Sequence, residues 1–177
     1  MTPAFSETSL SAQLCAACGM CCDGVLFHNV QLQSGDSARR LASMGLKLRT
    51  KKGVSFFLQP CSFHQETDSQ CSCRIYDQRP SRCRAFNCRQ LQELSAGRIS
   101  EEEALTKIHA ARTAVAQVNS LIVQIGESNP NRSLAHRVAH ALTLPDKKDE
   151  RTSLHDELEI TMKALEALLE KEFRVPA

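Results

Sequence analysis

Tryptophan is absent from the 177 residues, tyrosine occurs once, and basic side chains barely outnumber acidic ones, 22 against 20. A net charge of +2 with no aromatics interleaved among basic residues offers no footprint for reading nucleic acid. No apolar run approaches the roughly 20 residues needed to span a bilayer, so no membrane segment is expected. The opening "MTPAFSETSLSAQL" lacks the charged start and apolar run of a secretory signal. These absences point to a soluble, cytoplasmic protein. No glycine loop of the G-x-G-x-x-G type follows a strand, which leaves a nucleotide-type cofactor without a visible cradle. No Ser/His/Asp or Cys/His nucleophile pairing stands out.

Cysteine, by contrast, is abundant. All nine lie between Cys15 and Cys88, four of them within "CAACGMCCDG". In a reducing compartment clustered thiols bind metal or do redox chemistry more often than they form disulfides, and an odd count does not suit full pairing. Cys21 and Cys22 are neighbours, with Cα atoms ~3.8 Å apart, below the usual disulfide range of ~4.4–6.8 Å. A bond between them would be strained. Charge divides where the cysteines end: residues 1–90 carry 11 basic and 6 acidic side chains, residues 91–177 carry 11 and 14. The chain therefore reads as a cysteine-rich unit, 1–90, and a helical unit, 91–177, packed separately or as one compact domain.

The expected fold is mainly α with a small β-hairpin, the metal-bound cysteine-rich half leaning on a C-terminal helical bundle. "VLFHNVQL" has strand-like composition. "SGDSARRLASMG" suits a short helix with Ser34 as N-cap and Gly45 past its end. "LKLRTKKGVSFFLQP" reads as two strands around a Lys52-Gly53 turn. Ser100 and Glu103 form a capping-box pair at the head of a helix, followed by Leu105, Ile108, Ala111, Val115, Val118, Ile122 and Ile125 at helical spacing. A short helix around "RSLAHRVAHAL" follows, then the polar link "PDKKDE". The last helix carries Leu154, Leu158, Met162, Leu165, Leu169 and Phe173 on one side. These stripes pack on each other, dock a protein partner, or pair with a second copy as a homodimer.

A C-x2-C pair aims two sulfurs at one centre from a tight turn. Four thiolates satisfy tetrahedral zinc at ~2.3 Å, and a [4Fe–4S] cube is held by a similar clustered run. Cys15, Cys18 and Cys21 make C-x2-C-x2-C, and Cys22 adds a thiol aimed elsewhere. On a helix, positions 15, 18 and 22 would share a face with 21 rotated away. Either geometry leaves one of the adjacent pair for a second metal or a bridge. The second group, "PCSFHQETDSQCSCRIYDQRPSRCRAFNC", supplies Cys61, Cys71, Cys73, Cys83 and Cys88. Threaded through it are Arg74, Arg79, Arg82, Arg84 and Arg89. A four-thiolate site carries a charge of about −2 by ligand counting; guanidinium groups near the sulfurs would offset it, or else form a solvated basic face. Tyr76 could pack over such a centre or serve as a plain core residue.

"CAACGMCCDG" followed by "PC" and by "CRIYDQRPSRCRAFNC" resembles the YkgJ-type cysteine-cluster family, also described as a zinc- or iron-chelating domain. The likeness covers roughly residues 15–88. It implies that Cys15, Cys18, Cys21, Cys22, Cys61, Cys73, Cys83 and Cys88 fall on metal-site positions, with Cys71 as the extra thiol. Eight thiols allow two four-sulfur sites or one larger cluster with spare thiols, holding zinc or iron, the latter also as an iron–sulfur cluster. The family includes flagellin N-methylases, longer enzymes that methylate lysines on a protein. The resemblance thus implies metal binding first, with a metal-dependent protein-modifying enzyme as the second class.

Other candidates carry less. His136 and His140 sit four apart on a helix, but "HRVAH" has no Glu after the first histidine. They read as a surface or interface pair. His28 and His64 lie near the cysteines as substitute ligands, and Asp23 reads as a loop cap or a proton carrier.

Overall fold

The computed structural model describes residues 10–67, 70–145, 148–149 and 152–175. The fold is mainly helical, with a small antiparallel sheet and C-terminal helices packed on one another. Its spine is α5, Glu101–Ile125. Ser100 accepts from the Glu103 N–H while the Glu103 carboxylate accepts from the Ser100 N–H, so the capping box forms as the sequence predicts. Gly126, at φ 113°, ends the helix in the left-handed region that glycine enters at little cost. The expected stripe is buried from Ile108 to Ile125, and Leu105 lies at its edge. Helix α7, Leu154–Glu172, buries Leu158, Leu165, Leu169 and the following Phe173 against α5. Helix α6, Leu134–Ala141, and α4, Arg89–Ser95, complete the bundle.

The cysteine-rich half rests on this bundle through α1, Leu10–Cys18, which packs on α5. Leu14, Cys18, Met20, Val25 and Leu26 join the same apolar cluster as the α5 and α7 residues. A second cluster forms around Leu32, Leu41, Leu46, Phe57 and Phe63. It is covered by strands β1 (Asn29–Gln31), β2 (Leu48–Lys51) and β3 (Val54–Leu58), in order β1-β3-β2. The hairpin turns at Lys52-Gly53 as expected, with Lys51 opposite Val54. The "VLFHNVQL" segment contributes only three strand residues, which pair on the other edge of β3. Strands β4 (His64–Glu66) and β5 (Cys71–Cys73) make a separate hairpin, and β6 (Lys148–Asp149) pairs with β7 (Thr152–Ser153) in the polar link.

Two local expectations are corrected. Helix α2 spans Ala38–Ser43, and its cap is Ser37, whose hydroxyl accepts from the Arg40 N–H. Ser34 instead lies within a turn closed by the Asp36 carboxylate, which accepts from the Gln33 N–H at 2.8 Å. The helical placement of Cys21 and Cys22 also fails: α1 stops at Cys18, because Gly19 takes φ 65° and turns the chain.

Candidate metal centre

The first thiols are delivered by a helix end and a turn. Cys15 and Cys18 sit on α1, and the Gly19 N–H donates to the Cys15 carbonyl. The Cys22 and Asp23 N–H groups then close the turn on the Gly19 carbonyl. Cys88 comes to this turn as the N-cap residue of α4, at the edge of the helical bundle. Burial raises its thiol, and the backbone N–H groups of Leu91 and Gln90 at the head of α4 act in the opposite direction. Cys18, Cys21 and Cys88 all belong to the apolar cluster built on α5.

The second set is delivered by the β-rich half. Cys61 follows Pro60, and its N–H donates to the Cys22 carbonyl at 2.8 Å. Cys73 ends β5, opposite His64, and Cys83 lies on the short helix α3, Ser81–Ala85. Helix α3 is capped from a distance: the Asp36 carboxylate accepts both the Ser81 N–H and its hydroxyl at 2.8 Å. Cys61, Cys73 and Cys83 all pack on the second apolar cluster.

The electrostatics divide the thiols in the same way. Burial pushes Cys18 up to about 12, and the Cys88 and Cys15 sulfurs add to the rise. Cys21 is raised well above its ordinary value by burial and then by Cys18, Cys22, Cys88 and Cys15. Cys15 faces solvent, yet partial desolvation and Cys88 raise it too. In the other set, burial raises Cys22 far above the thiol range, followed by Cys61, Cys83 and Cys73. Cys83 is pushed up to about 11 by burial, Cys61 and Cys73. The sets are thus Cys15, Cys18, Cys21 and Cys88, and Cys22, Cys61, Cys73 and Cys83. The adjacent pair Cys21-Cys22 joins them.

All nine cysteines are free thiols, and the strained Cys21–Cys22 bond does not form. Among the described residues no group of three or more His, Cys, Asp or Glu side chains is closed up to hold a metal ion. The quartets are neighbourhoods of thiols, not finished cages. Neutral thiols pack as small apolar groups and have no reason to converge, whereas a bound cation imposes convergence and deprotonates them. The donor sets fit zinc or iron: each offers four sulfurs, the number that a zinc ion or a [4Fe–4S] cluster takes. Burial and mutual repulsion, which disfavour thiolates here, are offset by a cation placed among them.

Cys71 stands apart. It is 8% exposed, and Glu66, Arg112 and Asp23, not another thiol, are the charges that act on it. A Cβ on Gly19 would fall 2.4 Å from the Cys71 sulfur, so this thiol packs directly beneath the first turn. Of the arginines, Arg79 lowers both Cys15 and Cys83, one from each quartet. Its guanidinium lies 3.7 Å from the centre of the Tyr76 ring and donates to the Tyr76 carbonyl. Arg74 lowers Cys61. Arg84 lies beside Ser81 and Asp36, and Arg89 is turned to the Arg174 carbonyl.

The remaining candidates have other partners. Asp23 caps its own loop by accepting from the Val25 N–H and pairs with Arg112 at 2.7 Å. His28 and His136 share the Ser133 hydroxyl, while His140 pairs with the buried Glu127. His64 stands near Gly19 and Cys71. The sequence did not single out Asp36 or Arg112 as organisers of this region, since neither has a local motif.

No helix among the described residues is long and apolar enough to cross a membrane. No curated protein and no solved structure shows a significant match to the chain. Residues 14–113, more than half of the chain, match the family described as "CxxCxxCC: Putative zinc- or iron-chelating domain". With its thiols already grouped by fold and charge, the chain belongs to the CxxCxxCC zinc- or iron-chelating family.

Proposed function

We propose that the protein holds zinc or iron at two four-thiolate centres, one formed by Cys15, Cys18, Cys21 and Cys88, the other by Cys22, Cys61, Cys73 and Cys83. What supports this reading is that six of the eight thiols pack on two separate apolar clusters, Cys18, Cys21 and Cys88 on one and Cys61, Cys73 and Cys83 on the other, while the sulfurs that act on Cys15 and Cys22 attach them to the same two groups. A single larger cluster with spare thiols has no such division behind it. Iron is held as a single ion or as an iron–sulfur cluster. Arg79 and Arg74 offset the thiolate charge, and the protein works in the reducing cytoplasm, where these sulfurs stay available.

Because the ligands of each centre come from separate elements, metal binding contributes to folding itself. Zinc-finger peptides give about 10–16 kcal/mol apparent per site, comparable with or above the net stability of a whole domain, roughly 5–15 kcal/mol. Anaerobic purification with elemental analysis and a visible spectrum tests the reading. Stoichiometric zinc in colourless protein, or iron with visible charge-transfer absorbance, is the expected outcome. Protein that is folded and free of both metals would overturn it.

A further inference from the structure

Beside the cysteine turns lies a cavity of about 360 Å³ between α5, α6 and the β4–β5 hairpin, within the size range of small-molecule sites. Its floor follows one face of α5: Arg112, Val115 and Asn119 line it at the i, i+3 and i+7 spacing of a helical stripe. Arg112 and Asn119 are therefore about 10 Å apart along the axis, and the cavity has two chemically different ends. At the Arg112 end the charges are satisfied within the protein: Arg112 bridges Asp23 and Glu66. Both carboxylates of the cavity are thereby engaged.

At the Asn119 end they are not. Arg137 enters from α6, and its Nη1 donates to the Asn119 side-chain oxygen at 2.7 Å. Its Nε is buried and meets no hydrogen-bond partner in the protein. Among the described residues neither Arg137 nor Arg132, which also lines the cavity and like Arg137 lies within the field of Glu127, makes an ion pair. Glu127 attracts Arg137 only from beyond contact and is already engaged by His140 and the Asn129 N–H. A guanidinium partly removed from water without a carboxylate partner is unfavourable, and its planar fork matches a carboxylate or phosphate. The wall between the two ends is apolar, formed by Val25, Val115 and Leu134.

We propose that this cavity binds a small organic oxyanion, a carboxylate or phosphate group on an apolar body, with the anionic group between Arg137 and Arg132 and the body along the Val115 wall. The third arginine takes no part, because Asp23 and Glu66 occupy it. The site stands on residues outside both thiol quartets, so it holds whichever metal those quartets take.

The test is a heteronuclear NMR titration of the full-length, metal-loaded protein with inorganic phosphate and, separately, with butyrate. Saturable shifts centred on Asn119 and Leu134 are expected for at least one probe, with a Kd of about 1 mM or below. Phosphate alone, butyrate alone or both would each support the site and name the group it prefers. Arg137→Gln should weaken binding roughly tenfold or more. Arg132→Gln, at an exposed position where folding is not at stake, should weaken it in the same direction. Arg49→Gln on exposed β2 removes the same charge elsewhere and should change nothing. Absence of saturation with both probes, or equal weakening by Arg49→Gln and Arg132→Gln, would overturn the proposal.

Discussion

The Cys61 N–H donates to the Cys22 carbonyl at 2.8 Å, and two residues earlier the buried Gln59 side chain donates to the Cys21 carbonyl at 3.0 Å. One segment thus holds both members of the adjacent cysteine pair by their backbone. With those carbonyls engaged, the backbone of the pair is fixed against the segment that carries Cys61. The Cys21 sulfur stays with the bundle-side thiols and the Cys22 sulfur with those of the β-rich half.

Replacing Gly19 by alanine should loosen this arrangement. A Cβ there meets the Cys71 sulfur at 2.4 Å, and the residue holds φ 65°, which L side chains adopt only with strain. A loss of roughly 1–3 kcal/mol is expected, read as a lower midpoint in urea unfolding of the metal-loaded protein. Adding Cys71→Ala to Gly19→Ala should recover only part of the loss, since it relieves the contact but not the backbone. Full recovery would show that φ carries no strain.

Asp36 gives a pH signature. Burial tends to raise its carboxyl, but the Gln33 and Ser81 donors outweigh this and hold it below the ordinary carboxylate range. A depressed folded value means stability that is complete above the unfolded value of about 3.9 and is lost as pH falls through the folded one. Asp36→Asn should cost roughly 1–2 kcal/mol at neutral pH, because the amide keeps only one of the two acceptor oxygens that Gln33 and Ser81 use and loses the charge. The gap between wild type and variant should narrow at pH values below about 4. A gap that persists unchanged to acid would exclude the charged cap. Because α3 carries Cys83, the variant should also release metal from the second centre more readily.

What the sequence made legible was local. The Ser100–Glu103 box, the stripe from Ile108 to Ile125 and the Lys52-Gly53 hairpin each depend on residues a few positions apart, and all three are present. Eight of the nine thiols were legible as family-pattern positions, because their spacing carries that pattern. Their division was not, since it depends on Cys88 arriving with α4 and on Cys61 reaching the Cys22 carbonyl across 39 positions. The cap of α2 was misplaced by one turn, because Ser34 and Ser37 both suit an N-cap and Asp36 takes the first for a turn. Asp36 capping a helix 45 residues away leaves no mark in sequence. Nor does the packing of Cys71 on Gly19, which accounts for the ninth thiol as a buried neighbour of the first turn.

The C-terminal helix should matter to the first centre. Phe173 is fully buried, and its carbonyl accepts the Arg89 N–H at 3.0 Å, one residue beyond Cys88. Phe173→Ala should cost about 3–5 kcal/mol, as for other large core truncations. It should also free Cys88 and speed metal loss to a chelator from the first centre alone. Equal acceleration at both centres would mean that the two halves do not hold their thiols separately.

Native mass spectrometry of the metal-loaded full-length chain, comparing single serine variants, bears most directly on the two-centre account. Wild type should carry two centres. Cys88→Ser should lose only the first, Cys83→Ser only the second, and Cys71→Ser neither. Loss of all metal on any one substitution, or loss of a centre with Cys71→Ser, would contradict the division of the thiols proposed here.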